Sequence, residues 1–211
     1  MKVLFCLAKH DKATEYGHAY FTHYVVPVAK RVYGEENVIV VENCSREKFE
    51  QLLTSEPIVY ITGVGHGNEK AWSNYHDSTC HWEIILDEKN CYLLRDRWLS
   101  HLACLTGKEL LKKCVEVGAI NTAGYKVTFV FFIKPNAPNP LADPIARDFL
   151  YPDMLRHIKR LEGYKPSDAD RFAYNEFTRN AEKWKEVNPQ ISAWLLHDRD
   201  GMVTYLSLIH I

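Results

Sequence analysis

Apolar and polar positions alternate in blocks through the first third of the chain, and the blocks change period from strand-like to helix-like and back. Residues 2–8 are a short apolar run and predict a core strand. Residues 13–33 carry apolar side chains at mostly helical spacing, with Pro27 expected to kink or break the helix. Residues 36–42 contain VIVV and read as a buried strand. Ser45 is placed to cap a helix that runs through Leu53. Residues 58–64 form an apolar, β-branched run that ends in a glycine-rich turn, with Gly63, Gly65 and Gly67 around His66. The order β-α-β-α-β predicts an α/β fold with a parallel sheet and right-handed crossovers.

Beyond the glycines the pattern loosens. Residues 68–97 are more polar and predict a long loop, with a small hairpin in EIILDEKNCYLL turning at residues 87–90. Residues 97–104, RWLSHLAC, read as a short strand. Thr106 and Glu109 have capping-box spacing for a helix that ends at Gly118. Residues 119–125 and 127–133 predict further strands, followed by a proline-rich connection over residues 134–140. Residues 141–187 look mainly helical, with a break at Gly163 and Pro166. The segment ISAWLLHDRDGMVTYL predicts a hairpin about residues 198–201. The aromatic residues of this half, Trp184 and Trp194 among them, recur at core-like intervals and read as packing.

Composition narrows the functional classes. A net charge of -1 argues against the strong basic field that nucleic acid or acidic lipid would attract. No apolar run approaches the length of a membrane span, and the start MKVLFCLAKHD reads as a core strand and not as a signal peptide. A cytoplasmic location is expected. Cys6, Cys44, Cys80, Cys91, Cys104 and Cys114 form no C-x-x-C pair, which predicts reduced thiols. His76, Cys80, His81 and Cys91 could in principle hold zinc, but their spacing matches no recognised zinc pattern, so loop side chains without a metal are expected. The last six residues, LSLIHI, read as a cloning scar and are set aside from the fold reasoning, with a natural apolar strand as the alternative; if they are a scar, the natural chain continues beyond Tyr205.

The candidate chemistry lies at two strand ends. His66 follows one predicted strand, and Cys104 ends what should be its parallel neighbour. Neighbouring strands are about 5 Å apart, so the two side chains could meet. Such a pair suits thiol nucleophilic catalysis: imidazole removes the proton and thiolate attacks an acyl carbon. Cys104 precedes the expected helix cap by two residues, where the helix dipole would favour thiolate. Gly67, lacking a Cβ, lets its N–H approach a substrate oxyanion. Asp77 and Asp87 are candidates to orient the histidine, although solvated loop acids are the simpler reading, and His101 reads as structural.

The strings IVYITGVGHG and WLSHLACLTG, with 37 residues between His66 and Cys104, resemble the caspase-like cysteine peptidases. The following ELLKKCVEVGAINTAGYKVTF is similar to the gingipain and CHAT-domain branch, and the resemblance spans roughly residues 1–132. It implies a caspase-like three-layer sandwich with a mostly parallel central sheet flanked by helices. A single domain over residues 1–205 is expected, with a core over 1–133 and a helical segment and terminal hairpin over 141–205. By matching position, His66 would be the general base and acid, Cys104 the nucleophile, and the backbone N–H groups of Gly67 and Cys104 the oxyanion donors. No cofactor is implied, and the substrate would be a protein or peptide, with neither nucleic acid nor membrane as a partner. The alternative is a CHAT-like interaction or regulatory module working beside a regulatory partner domain. Leu105 departs from the family, which often places Gly, Ser or Arg after the cysteine. A flavodoxin-like nucleotide site is disfavoured because the glycines lack the G-x-G-x-x-G pattern.

Overall fold

The computed structural model describes residues 1–76 and 82–207. Its first strand, β1 (Lys2–Leu7), sends Val3, Phe5 and Leu7 into one apolar cluster and Leu4 and Cys6 into another. A strand buried on both faces needs cover on both faces, which a sheet between two helical layers provides. In chain order β1 is followed by α1 (Lys12–Tyr20), α2 (Val26–Tyr33), β2 (Val38–Glu42), α3 (Arg46–Ser55) and β3 (Ile58–Val64). Three strands of a separate antiparallel sheet come next, β4 (His66–Asn68), β5 (Ala71–His76) and β6 (Trp82–Asp87). The chain then forms β7 (Trp98–Leu102), α4 (Leu110–Glu116), β8 (Asn121–Tyr125), α5 (Pro144–Leu161), α6 (Pro166–Trp184), α7 (Pro189–Gly201) and β9 (Met202–Leu206).

The central sheet has the order β2-β1-β3-β7-β8-β9, and β9 alone runs antiparallel. Helices α1, α2 and α5 cover one face through Tyr16, Tyr20, Ala29, Leu150 and Met154. Helices α3 and α4 cover the other through Phe49, Leu53 and Leu111, and Trp72 and Leu86 of the small sheet join that core. The fold is therefore α/β, with a mainly parallel central sheet between helical layers. Helices α6 and α7 gather around Phe149, Phe177 and Leu195 outside α5. Among the described residues, no helix is long and apolar enough to cross a membrane.

Several expectations are corrected. Pro27 does not end the helical run: a π-helical turn over Phe21–Val25 interrupts it just before, and Pro27 lies in the first turn of α2, where a missing N–H costs least. The VIVV strand is not buried but lies at the sheet edge, with Val40 exposed. The region expected as a loop holds β5 and β6, paired with each other, and the second arm of the expected hairpin is a 3-10 turn, Cys91–Leu94. Thr106 caps nothing. The Gly107 N–H goes to Tyr125 O and the Leu110 N–H to Glu69 O, so α4 begins only at Leu110. Residues 127–133 form no strand because β9 already occupies the free edge of β8. The expected terminal hairpin about residues 198–201 is helical, part of α7, whose Asn188 cap accepts the N–H groups of Gln190 and Ile191 ahead of Pro189. Leu206 pairs with Asn121 in β9 and the Ser207 N–H reaches Ile120 O, so both continue the sheet.

Between α5 and the sheet runs a buried polar seam. His157 contacts Asp153 at 3.1 Å, Ser100 Oγ at 3.1 Å and Thr62 Oγ1 at 3.3 Å. These partners have the order of a hydrolytic triad, but Ser100, His157 and Asp153 are at most 1% exposed, so no substrate reaches them. The set is a strut. Arg156 and Arg160, also buried, share the Asp170 carboxylate at 2.7 and 2.9 Å and tie α5 to α6. Removing that carboxylate leaves two guanidinium charges buried without their counter-ion. Asp170→Ala is expected to lower the unfolding free energy by about 3–5 kcal/mol, read as a fall in the urea midpoint at constant m-value.

Candidate active site

The site follows from one register. Strands β3 and β7 are hydrogen-bonded neighbours with Val64 opposite Leu102, and the Gly65 N–H continues the ladder to Leu102 O at 3.2 Å. His66 is two residues past Val64 and Cys104 two past Leu102, so the two leave the sheet side by side. Both line one small cleft of about 60 Å³, with Ala13, Thr14, Phe129 and Phe131. The cleft sits at the carboxyl ends of β1, β3 and β7. There the chain order switches direction across β1, where open α/β sheets concentrate their ligand sites. Buried Asn74 fixes the rim: its amide donates to Cys6 O and Val64 O and its oxygen accepts from the Cys44 N–H.

Gly67 lies in β4 opposite Trp72, packed against the Cys104 backbone. A Cβ at Gly67 would lie 2.6 Å from Cys104 O and 2.8 Å from Thr106 Cγ2. The glycine is required by close approach. The Cys104 backbone N–H makes no hydrogen bond to another described residue. Leu105, which follows, adopts φ +63, a left-handed conformation that costs a non-glycine residue about 1 kcal/mol. Glycine, frequent there in the resembled family, would adopt it without that cost.

His66 is oriented by a residue the sequence did not single out. Its Nε2 lies 2.6 Å from Asp11 Oδ2. Asp11 is the N-cap of α1, and its other oxygen accepts the Thr14 N–H at 2.8 Å. Partial burial pushes the Asp11 carboxyl up, but the Thr14 N–H and the His66 ring outweigh it and hold the group below its ordinary range. With the proton on Nε2 facing Asp11, Nδ1 is the basic nitrogen of the ring. Asp87, one of the two expected candidates, is instead held bidentately by Arg46, and Asp77 lies outside the described residues. His10 and Trp82 complete the surroundings, with the indole edge-on to both imidazoles at 4.4 and 4.2 Å.

The thiol is not primed as expected. Cys104 Sγ faces Phe129 O at 3.9 Å, and burial pushes its pKa above the ordinary thiol value. The helix dipole gives no counterweight, since α4 begins six residues downstream and is short. Asp198 lies nearby. Burial pushes its carboxyl up to about 9 even though the Val130 N–H donates to Oδ1 at 3.1 Å, and its Oδ2 meets no partner among the described residues. The acidic thiol is Cys91, drawn down to about 7 by its hydrogen bond with Cys114, but it is 1% exposed. Cys91 is thus a core residue, while Cys80, His81 and the His76 side chain of the considered zinc set fall outside the described residues. His101 is buried and stacked on Trp72 at 4.6 Å, with its pKa pushed down to about 3 by burial, as befits a structural residue. Trp184 and Trp194 pack against the α6–α7 cluster.

No protein-family model matches the chain, and no curated protein matches it.

Two outcomes are expected. Gly67→Ala pushes the His66 and Cys104 turns apart and lowers the rate of Cys104 modification by a peptidyl electrophile on the order of 10²-fold, with far-ultraviolet circular dichroism unchanged. Asp198 keeps its proton when folded and releases it when unfolded between pH ~4 and about 9. Folding stability therefore falls as pH rises through that window, by up to about 1.4 kcal/mol per pH unit from this group. Urea midpoints measured across the window should show that slope in the wild type and lose it in Asp198→Asn.

Proposed function

We propose that the chain is a caspase-like cysteine endopeptidase acting on protein or peptide substrates, without a cofactor, in the cytoplasm. The observation that carries this reading is the β3–β7 register that delivers His66 and Cys104 to one cleft. A peptide carbonyl entering between Phe129, Phe131 and the Gly65–Gly67 turn displaces water from around the thiol. Nδ1 of His66 takes the Cys104 proton while Asp11 holds Nε2–H and stabilises the imidazolium. The thiolate attacks the carbonyl carbon, and the backbone N–H groups of Cys104 and Gly67 receive the oxyanion. Collapse expels the amine, which takes the proton back from His66, and leaves a thioester. His66 then activates water to hydrolyse it. Reduced thiols fit the proposed compartment: no disulfide joins Cys6, Cys44, Cys91, Cys104 or Cys114.

One observation favours a second reading. The Cys104 thiol is half-buried, protonated at neutral pH and turned to a carbonyl, as suits a module that binds a partner domain without cleaving it. A substrate-shaped probe separates the two. A peptidyl acyloxymethyl ketone is expected to label Cys104 faster than iodoacetamide does, because its peptide portion docks in the cleft and holds the ketone at the oxyanion donors. Peptide cleavage should vanish in Cys104→Ala and fall on the order of 10²- to 10⁴-fold in Asp11→Asn, which keeps the helix cap but loses the anion beside Nε2. Equal labelling of Cys104 in the wild type and His66→Ala, with no peptide cleaved, would favour the binding module.

A further inference from the structure

We propose that His10, Asp11 and His66 form a binding site for one zinc-class transition-metal cation, and that occupancy withdraws His66 from Cys104. The second clause rests on the peptidase reading; the first does not. One ligand atom from each of the three residues lies within 4.8 Å of the other two. Zinc with bonds of about 2.1 Å brings tetrahedral ligand atoms roughly 3.4 Å apart, so small side-chain rotations close the set. Two imidazoles and one carboxylate are borderline donors that suit zinc, cobalt or nickel better than magnesium or calcium. Three protein ligands leave a fourth position for water.

The surroundings prepare each donor. Asn43 Oδ1 lies 3.3 Å from His10 Nδ1 and is itself fixed by accepting the Lys9 N–H at 2.8 Å. An amide oxygen there holds the proton on Nδ1 and directs the lone pair of Nε2 away from it, the usual outer-shell arrangement of a ligating histidine. Asp11 divides its two oxygens, one on the helix cap and the other towards His66. The Trp82 indole stands edge-on to both rings.

The same atoms hold either a proton or a metal. In the metal-free site Nε2–H of His66 faces Asp11. Coordination at Nε2 needs that lone pair, so the one proton of the neutral ring moves to Nδ1. Nδ1–H is a donor and cannot accept the Cys104 proton. No proton need be gained or lost, and no redox partner is involved.

Cobalt(II) titration of the reduced full chain tests the site without any assay of cleavage. One equivalent should bind with visible d–d absorption and without the near-ultraviolet thiolate-to-cobalt charge-transfer band. Zinc should displace it. Affinity should fall on the order of tenfold or more in His10→Ala and in Asp11→Asn, and stay at the wild-type value in Cys104→Ala. Unchanged affinity in His10→Ala and Asp11→Asn, or a charge-transfer band reporting thiolate ligation, overturns the site. For the inhibitory clause, the zinc concentration that halves peptide cleavage should match the measured affinity and rise by the same factor in His10→Ala. Cleavage that persists with metal bound overturns that clause alone. A chain that binds cobalt through these residues but cleaves no peptide refutes the peptidase and leaves the metal site standing.

Discussion

The in-register pairing of β3 with β7 governs everything chemical in this molecule. Parallel strands with Val64 opposite Leu102 must release their next residues at the same level of the rim, and those residues lead to His66 and Cys104. The glycines serve that placement by letting backbones touch. A Cβ on Gly63 would lie 1.9 Å from the Cys6 carbonyl oxygen, inside the β1–β3 ladder, and one on Gly67 would collide with the Cys104 carbonyl. Asn74 adds a polar clamp from the small sheet by bonding the Cys6 carbonyl near the end of β1 and the Val64 carbonyl at the end of β3. Burying an asparagine is costly unless its amide is satisfied, and here both of its ends are used. Sheet, turn and clamp thus define a rigid base under a site whose side chains remain partly exposed.

At Cys104 and Asp198 the protonation state is set by dehydration more than by charge pairing. Cys104 is held as a thiol by burial, and its neighbour Asp198 keeps its own proton for the same reason. A thiolate in this partly dehydrated cleft would need a positive neighbour to offset its lost hydration. In the proposed mechanism the ions appear only when a substrate carbonyl supplies the place where the negative charge goes, so the binding of the peptide and the activation of the sulfur are one event.

Much of the central sheet was legible because its signals were local. The apolar run of residues 2–8, the β-branched run before Gly63 and the Ser45 cap each depend on neighbours in sequence, and each appears where expected. What failed depended on distant partners. Thr106 and Glu109 have capping-box spacing, but the Thr106 N–H turns to Cys104 O, and the Gly107 and Leu110 N–H groups go to Tyr125 O and Glu69 O, distant partners that no local pattern reveals. Residues 127–133 have strand composition yet lack an edge to join, because a segment some 75 residues later takes it. Strand β5 was hidden by inward-facing Asn74, a polar residue where alternation calls for an apolar one. The Asn188-Pro189 pair, by contrast, was a readable helix start that the turn-like DRDG overshadowed.

Asp11 shows why the third member of the site was the hardest to read. In sequence it is an ordinary helix cap, Asp followed three residues later by Thr, and the structure keeps it as one. A cap uses only one carboxylate oxygen. The other must point away from the helix, and because α1 starts at the carboxyl end of β1, away from the helix means across the rim towards β3. The direction of the His66 ring is therefore inherited from the start of α1, and helix capping, imidazole tautomer and the environment of His10 are set together by one side chain. A carboxylate placed for stability thereby becomes an electrostatic element of the site, with no residue added for that purpose.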